Sequence, residues 1–256
     1  GHFDSIQPDL FGKIPAYWTS YSEAVPGITG FGYATYRLRI LLPQGFHDTL
    51  ALMIPIFDTS YELYLDGDLV AENGRVGRSK QTSIPSYFPL IHSFEFTKDT
   101  MELVIHVANF SHRRGGYWMD MKLGEAGFLQ KKNERKKVFN YALLGILFGT
   151  SVLFFVFFLF EKERVSFLYF SLATLGIFLR LANTGNYPGN FLIDQAWIWT
   201  VRLEYLGTYA AFTFGVLYLD QFFRSRIVHK IAIGNTIVFS VFSLFVLFAH
   251  PAVFSN

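Results

Sequence analysis

Residues 138–160, "VFNYALLGILFGTSVLFFVFFLF", form a run of 23 positions without a charged side chain. About 20 apolar helical residues cross the hydrocarbon core of a bilayer, so this run is long enough to span it with some tilt. The competing reading is a soluble helical bundle with a very apolar core. Soluble helices keep a polar face, and "SVLFFVFFLF" has none. Three further apolar runs follow: 165–182, interrupted by Arg180 near its end; 197–219, with Arg202 and Glu204 in its first turns; and 227–249. The polar links "EKER", "NTGNYPGNFLIDQ" and "RSR" suit tight connections between antiparallel helices. The expected architecture of this half is a bundle of four spans at about 138–160, 165–182, 197–219 and 227–249.

Loop charge orients such a bundle, because cytoplasmic loops carry the excess of Lys and Arg. The link after the first span holds Lys162 and Arg164, and the link after the third holds Arg224, Arg226 and Lys230. The link after the second holds neither residue type. The first span therefore enters from outside, which leaves residues 1–130 extracytoplasmic and returns residues 251–256 to the same side. "KKNERKK", at 131–137, opposes this assignment. A large exported domain translocates largely regardless of flanking charge, so the two later links weigh more. The cluster then either meets anionic headgroups or is a solvated helix start, and the second is favoured.

Composition separates the two halves. The chain is 51% hydrophobic, 19% aromatic and only 16% charged, too apolar for an ordinary soluble domain, and the excess lies after residue 137. The net charge of +2 gives no basic surface for nucleic acid. Cysteine is absent, which removes disulfides, thiolate metal sites and cysteine nucleophiles. The opening Gly-His-Phe has no initiating Met, so a cleaved signal peptide or a cloning scar at Gly1 and His2 is expected.

Before the basic cluster the apolar period changes to two. "YATYRLRIL" (33–41) alternates, "LALMIPI" (50–56) is a continuous apolar run, and "YELYLDGDLVAENG" reads as strand, Asp66-Gly67-Asp68 turn, strand. "MELVIHVANF" (101–110) and "YWMDMKLG" (117–124) complete the set, and Pro55 marks an edge or a bulge. Short strands between Gly, Pro and Asn, with no amphipathic helix, predict an all-β domain over residues 1–130, a β-sandwich or jelly roll. Residues 131–256 form the transmembrane region.

"GFGYATYRLRILLP", "LALMIPIFDTSYELYLDGDLVAENGRVGRS" and "VANFSHRRGGYWMDMKLG" resemble the extracellular jelly-roll domain of bacterial seven-transmembrane receptors with diverse intracellular signalling modules. The most specific parts are "YELYLDG" at 61–67 and "NFSHRRGGYW" at 109–118, and the resemblance covers residues 18–124. It implies a fold similar to galactose-binding jelly rolls and to the sugar-binding domains of glycoside hydrolases. It also implies a place in the cytoplasmic (inner) membrane of a bacterium, with the jelly roll periplasmic. That family has seven spans followed by a kinase, cyclase or phosphatase-type module. Four spans here correspond to a sensory half, and the output activity does not carry over.

No HExxH, GxSxG or Walker A pattern is present, and "GITGFG" has the wrong spacing for a dinucleotide loop. No catalytic residue is therefore assigned, and no enzyme is expected within this chain. His47, His92, His106 and His112 lack the close spacing of metal ligands, so neither a metal nor a cofactor is expected. Sugar recognition needs aromatic faces and planar hydrogen-bonding groups. The ligand-binding candidates are Trp18, Asn73, Arg75, His112, Arg113 and Trp118, with Tyr17 beside them, each weighed against a plain structural role such as a core Trp118. In the spans, Arg180, Arg202 and Glu204 are coupling candidates, because an ionised group in a span seeks a partner. Arg180 and Glu204 would end and begin their helices on the same side, close enough to pair, or both snorkel to headgroups. Asp220 belongs to the same class.

The sequence thus predicts the sensory half of a bacterial membrane receptor. A small ligand, with carbohydrate the leading class, binds outside, membrane lipid surrounds the helices, and a homodimer is a candidate assembly. The alternative is a membrane-anchored interaction or assembly module without a small-molecule ligand. A glycan- or lipid-modifying enzyme would need paired carboxylates in a cleft. Glu62, Asp66, Asp68 and Glu72 crowd one hairpin instead, where they read as turn chemistry.

Overall fold

The structure is a computed structural model, described here for residues 10–43, 48–193, 195–223 and 225–255. Gly1, His2, His47, Arg224 and Asn256 lie outside the described residues. In chain order the elements are β1 Ala16–Tyr17, a 3-10 turn Trp18–Tyr21, β2 Gly32–Leu41, β3 Asp48–Ile54, β4 Ser60–Leu65, β5 Asp68–Asn73, β6 Leu90–Phe96, β7 Thr100–Asn109, β8 Gly116–Tyr117 and β9 Lys122–Glu125. The helices are α1 Ala126–Phe160, α2 Val165–Ala182, α3 Pro188–Leu192, α4 Trp197–Phe223, α5 Arg226–Phe248 and α6 Pro251–Phe254. The chain divides into two compact units, Gly1–Glu134 with Ala252–Asn256, and Arg135–Pro251.

The first unit is sheet-rich. One antiparallel sheet runs β2-β7-β4-β5 and a second runs β6-β3-β9. Side chains alternate across a strand, so Leu50, Leu52 and Ile54 of β3 leave one face and meet Tyr61, Leu63 and Leu65 of β4 with Met101, Leu103, Ile105 and Val107 of β7 in a single core. At about 25 cal/mol per Å2 of apolar surface removed from water, these side chains supply the main driving force of the fold. The β4–β5 hairpin turns at Asp66 and Gly67, both at positive φ (50° and 96°). Asp66 is held there by its N–H to the Glu102 carbonyl (2.9 Å) and by the Glu102 N–H to its own Oδ1 (2.9 Å).

Several boundaries differ from expectation. β3 stops at Ile54, before Pro55, because proline has no N–H for a ladder and β3 is the central strand of its sheet. The expected strand 117–124 is two short ones, β8 and β9, with Trp118 between them rather than within a strand. β6 was not expected at all. The largest change is α1. It begins at Ala126, twelve residues before Val138, so "KKNERKK" lies inside the helix, as suits the helix propensity of Lys, Arg and Glu. Its first turns cover the outer face of the three-stranded sheet. Ala126 and Leu129 pack with Ala51, against Met53 and Ile91, and Gln130 Nε2 donates to Ser93 Oγ at 2.9 Å.

The second unit is helical. Among the described residues, three helices are long and apolar enough to cross a membrane: α1, α2 and α5. α4 is long but falls short of that apolarity, because Tyr, Thr and Gly, with Arg202, Glu204 and Asp220, dilute its aliphatic residues. It packs against both α2 and α5. The crossing with α2 is close because it is lined by glycine: a Cβ on Gly176 would stand 2.5 Å from Ala211 N and 2.7 Å from Gly207 O. α1 and α2 are joined by reciprocal hydrogen bonds, Ser151 Oγ to Ser171 O (2.9 Å) and Ser171 Oγ to Ser151 O (2.8 Å), flanked by Phe154 against Phe170. The link after α2 contains α3, opened by Pro188 at its first turn.

Candidate functional site

The segment 109–118 is built around one side chain. Asn109, fully buried, donates from Nδ2 to the carbonyls of Gly30 (2.5 Å) and His112 (2.8 Å), and its Oδ1 accepts from the N–H groups of Ser111 (3.2 Å) and His112 (2.9 Å). That clamp curls the chain back toward the 3-10 turn. Gly115 lies so close to it that a Cβ there would meet the Trp18 ring at 2.6 Å and the Gly30 carbonyl at 2.3 Å. The same fold-back brings His112 to Asp58.

Asp58 is 1% exposed, a buried carboxylate in the short link between β3 and β4. Its Oδ1 accepts from the Tyr87 hydroxyl, and its Oδ2 lies 3.4 Å from His112 Nδ1. His112 is itself 8% exposed, and its Nδ1 also lies 3.0 Å from the Arg114 carbonyl. Asp58 Oδ2 and Trp118 Nε1 are both buried without a closed hydrogen bond, although the indole N–H is near enough to favour the Asp58 anion. Burial raises the Asp58 carboxyl above its ordinary range, against the opposing pulls of His112, Tyr87, Trp118 and Arg114. Above the carboxylate Trp118 stacks on Tyr17 (5.7 Å between centroids, 17° between planes), and the Arg114 guanidinium lies 5.0 Å over the Tyr17 ring. The result is a cation–aromatic–aromatic ladder beside a buried acid.

The ligand-binding candidates fall into two groups. Trp18, His112, Arg113 and Trp118 gather here. Trp18 does so as core, 5% exposed, with its indole N–H donating to Tyr36 Oη (2.8 Å) and its backbone N–H to the Gly115 carbonyl (2.9 Å), so it offers no face to a ligand. The Arg113 side chain is exposed, and its backbone N–H donates to Ser255 Oγ at 3.2 Å. Asn73 and Arg75 instead fix the excursion between β5 and β6. Arg75 exchanges backbone hydrogen bonds with Ile84 and donates from Nε to the Thr82 carbonyl (3.0 Å). Asn73, 5% exposed, donates to the Ser86 carbonyl (3.2 Å), and the Ser86 N–H reaches the Thr59 carbonyl (2.9 Å). Asn73 thereby steadies Tyr87 from behind. Sequence reasoning missed Asp58, Tyr87 and Arg114; only the "FDTS" context of Asp58 and the repeated Arg of "HRRGG" hinted at them. Among the described residues no group of three His, Asp or Glu is placed to hold a metal. The nearest to an acid–base arrangement is the Asp58–His112–Tyr87 cluster, which is sealed.

In the helices, Arg180 and Glu204 lie near enough for their charges to interact, while the guanidinium's hydrogen bond goes to a neighbouring hydroxyl. The Arg180 guanidinium donates to Thr208 Oγ1, and that hydroxyl donates to the Glu204 carbonyl at 2.8 Å. Thr208 lies one turn beyond Glu204 on the same face of α4 and intercepts the guanidinium there. Arg202 lies 5.4 Å over the Trp199 ring and 3.5 Å from the Ala249 carbonyl at the end of α5. Two polar features were not expected. Gln195 Nε2 donates to Asn183 Oδ1 (2.6 Å), Asn190 Oδ1 (3.0 Å) and Thr200 Oγ1 (3.2 Å), and His229 Nδ1 lies 2.8 Å from Asp220 Oδ2.

No protein-family model matches the sequence, and no curated protein matches it. Solved structures with a similar part include a GH2 beta-galacturonidase from Eisenbergiella tayi bound to galacturonate (15% identity, 44% of this chain and 20% of that one, TM-score 0.33). A glycosyl hydrolase family 2 member from Bacteroides cellulosilyticus DSM 14838 is similar at 12% identity (48% and 18%, TM-score 0.34), and a beta-glucuronidase from Faecalibacterium prausnitzii at 14% (38% and 15%, TM-score 0.27). The chain spans a fifth or less of the length of these enzymes.

Proposed function

We propose that this chain is the sensory half of a bacterial membrane signalling receptor, in which an extracytoplasmic jelly roll binds a small ligand of the carbohydrate class. Four helices cross the inner membrane, α4 being the polar inner one, and an output module belongs to a further part of the protein or to a partner. The observation that carries this reading is α1. Its first turns pack on Ala51, Met53 and Ile91, and the same unbroken helix continues into the apolar run. A ligand that favours one arrangement of the sheets thereby favours one placement of the helix, which is what transmission requires. The rim that suits a sugar is the ladder of Arg114, Tyr17 and Trp118 with the exposed Arg113 beside it: ring faces for stacking and guanidinium donors for hydroxyls.

Because the chain has no cysteine, spin labels attach only where cysteines are introduced. The test is the distance between labels at Glu95→Cys and Glu161→Cys in nanodiscs, with a panel of neutral and acidic sugars selected by thermal shift. A sugar that raises the melting temperature, as a ligand bound only by the native state does, should also move the label distance. Both effects should vanish in Arg113→Ala. A panel without any thermal shift, with the chain dimeric, would instead select the interaction module.

A further inference from the structure

Asp58 is the least explained group in the first unit. A carboxylate 1% exposed is retained in the core with one oxygen bonded to Tyr87 and the other facing an imidazole at 3.4 Å without a closed hydrogen bond. Burying a charge is costly unless it is both paired and hydrogen-bonded, and here both conditions are half met. The groups facing it are His112 and Arg114 from segment 109–118, Tyr87 from the stretch before β6, and the indole of Trp118. Two of these, His112 and Arg114, flank Arg113, whose N–H holds Ser255.

We infer that Asp58 and His112 form a proton-operated latch that sets how firmly segment 109–118 is held. With one proton shared between carboxyl and imidazole, the pair is either neutral or an ion pair, and both forms are tolerated in the core. When that proton leaves, a buried carboxylate faces a neutral imidazole, with the Tyr87 hydroxyl its one closed hydrogen bond and the Trp118 indole N–H nearby. Moving segment 109–118 outward relieves this by admitting water. The sign follows from linkage. Burial holds the folded carboxyl above its ordinary range, so its contribution to stability is complete below the unfolded value and is lost as pH rises through the folded one. The latch lies beneath the rim proposed above, but its test uses no sugar, so either reading can fail alone.

The experiment is hydrogen–deuterium exchange of the whole chain in nanodiscs between about pH 5 and pH 8.5, with each amide expressed as protection relative to its intrinsic rate. The Arg113 amide and residues 111–116 should lose about tenfold or more in protection across that range, one pKa unit corresponding to a factor of ten. Asp58→Asn, which keeps the shape and cannot ionise, should flatten the profile. His112→Gln removes the cation that favours the anion, and should deepen the loss. A pH-independent native profile would overturn the latch, as would an Asp58→Asn profile identical to the native one. If Asp58→Asn does not fold, His112→Gln decides: a deeper loss supports the latch and an unchanged profile refutes it.

Discussion

Truncating Asn109 tests the clamp that builds the site. The side chain is fully buried and closes four hydrogen bonds, two to carbonyls and two from N–H groups. In Asn109→Ala all four backbone groups lose their partner. Gly30 and His112 are buried, so their groups cannot simply turn to water, whereas Ser111 is half-exposed and rehydrates. A buried polar group left unsatisfied costs roughly 1–3 kcal/mol. Counting mainly the Gly30 carbonyl and the His112 groups, and allowing for partial collapse, the expected loss is about 3–5 kcal/mol. For a unit of this size that lowers the melting temperature by on the order of 10 °C or more. Calorimetric melting of the chain in detergent, alongside Asn109→Asp, reads it. The aspartate keeps the two accepting bonds but sets an anion against two carbonyls, so it should melt no higher than the alanine variant. A melting temperature for Asn109→Ala within about 2 °C of the native one would refute the clamp.

Leu52→Ala, at a 1% exposed position of the central strand β3, should destabilise the first unit by roughly 2–5 kcal/mol in denaturant titration. Gly176→Leu should force α2 from α4 and lower thermal stability in detergent, whereas Gly215→Leu, whose Cβ meets nothing within 4 Å, should leave it unchanged. Arg37→Met, which breaks the half-exposed Glu102 contact at 2.6 Å, should cost about 0.5 kcal/mol at low salt and less in concentrated salt. Burial raises the Asp66 carboxyl, but the Lys98 ammonium at 2.8 Å and the Glu102 N–H outweigh it and hold it below the ordinary range. Its stabilisation is therefore present above the unfolded value and lost as pH falls through the folded one. Lys98→Met should accordingly shallow the acid limb of the stability profile.

The strands that are legible in the sequence are β2, β4, β5 and β7, by alternation, and β3, by its continuous apolar run. β6 escapes because its inward row, Leu90, His92, Phe94 and Phe96, carries a histidine in mid-strand, and half-exposed Ile91 and Ser93 blur the other face. β8 is two residues long and exists by pairing with β1, which no local pattern announces. α2 and α5 are plain from apolarity alone, and Lys131 to Lys137 read as a solvated helix start, but the five residues before them, from Ala126, are hidden because nothing apolar and periodic marks them as helix. The site follows the same division. His112, Arg113 and Trp118 stand out by chemistry, and they do converge. Asp58 does not stand out, because its character comes from burial by segments some 30 and 50 residues away. The Thr208 hydroxyl that takes the Arg180 hydrogen bond was not weighed, because only charged groups were considered as its partners.

The unbroken course of α1 makes the chain a device with a phase. At about 1.5 Å per residue its 35 residues extend roughly 52 Å, and each added residue turns everything beyond it by about 100°. One residue inserted among 131–137 should therefore turn the apolar run relative to the first turns of the helix on Ala51, while the Ser151–Ser171 pair, which lies wholly beyond the insertion, keeps its register. Seven inserted residues should come back to within about 20° of the original.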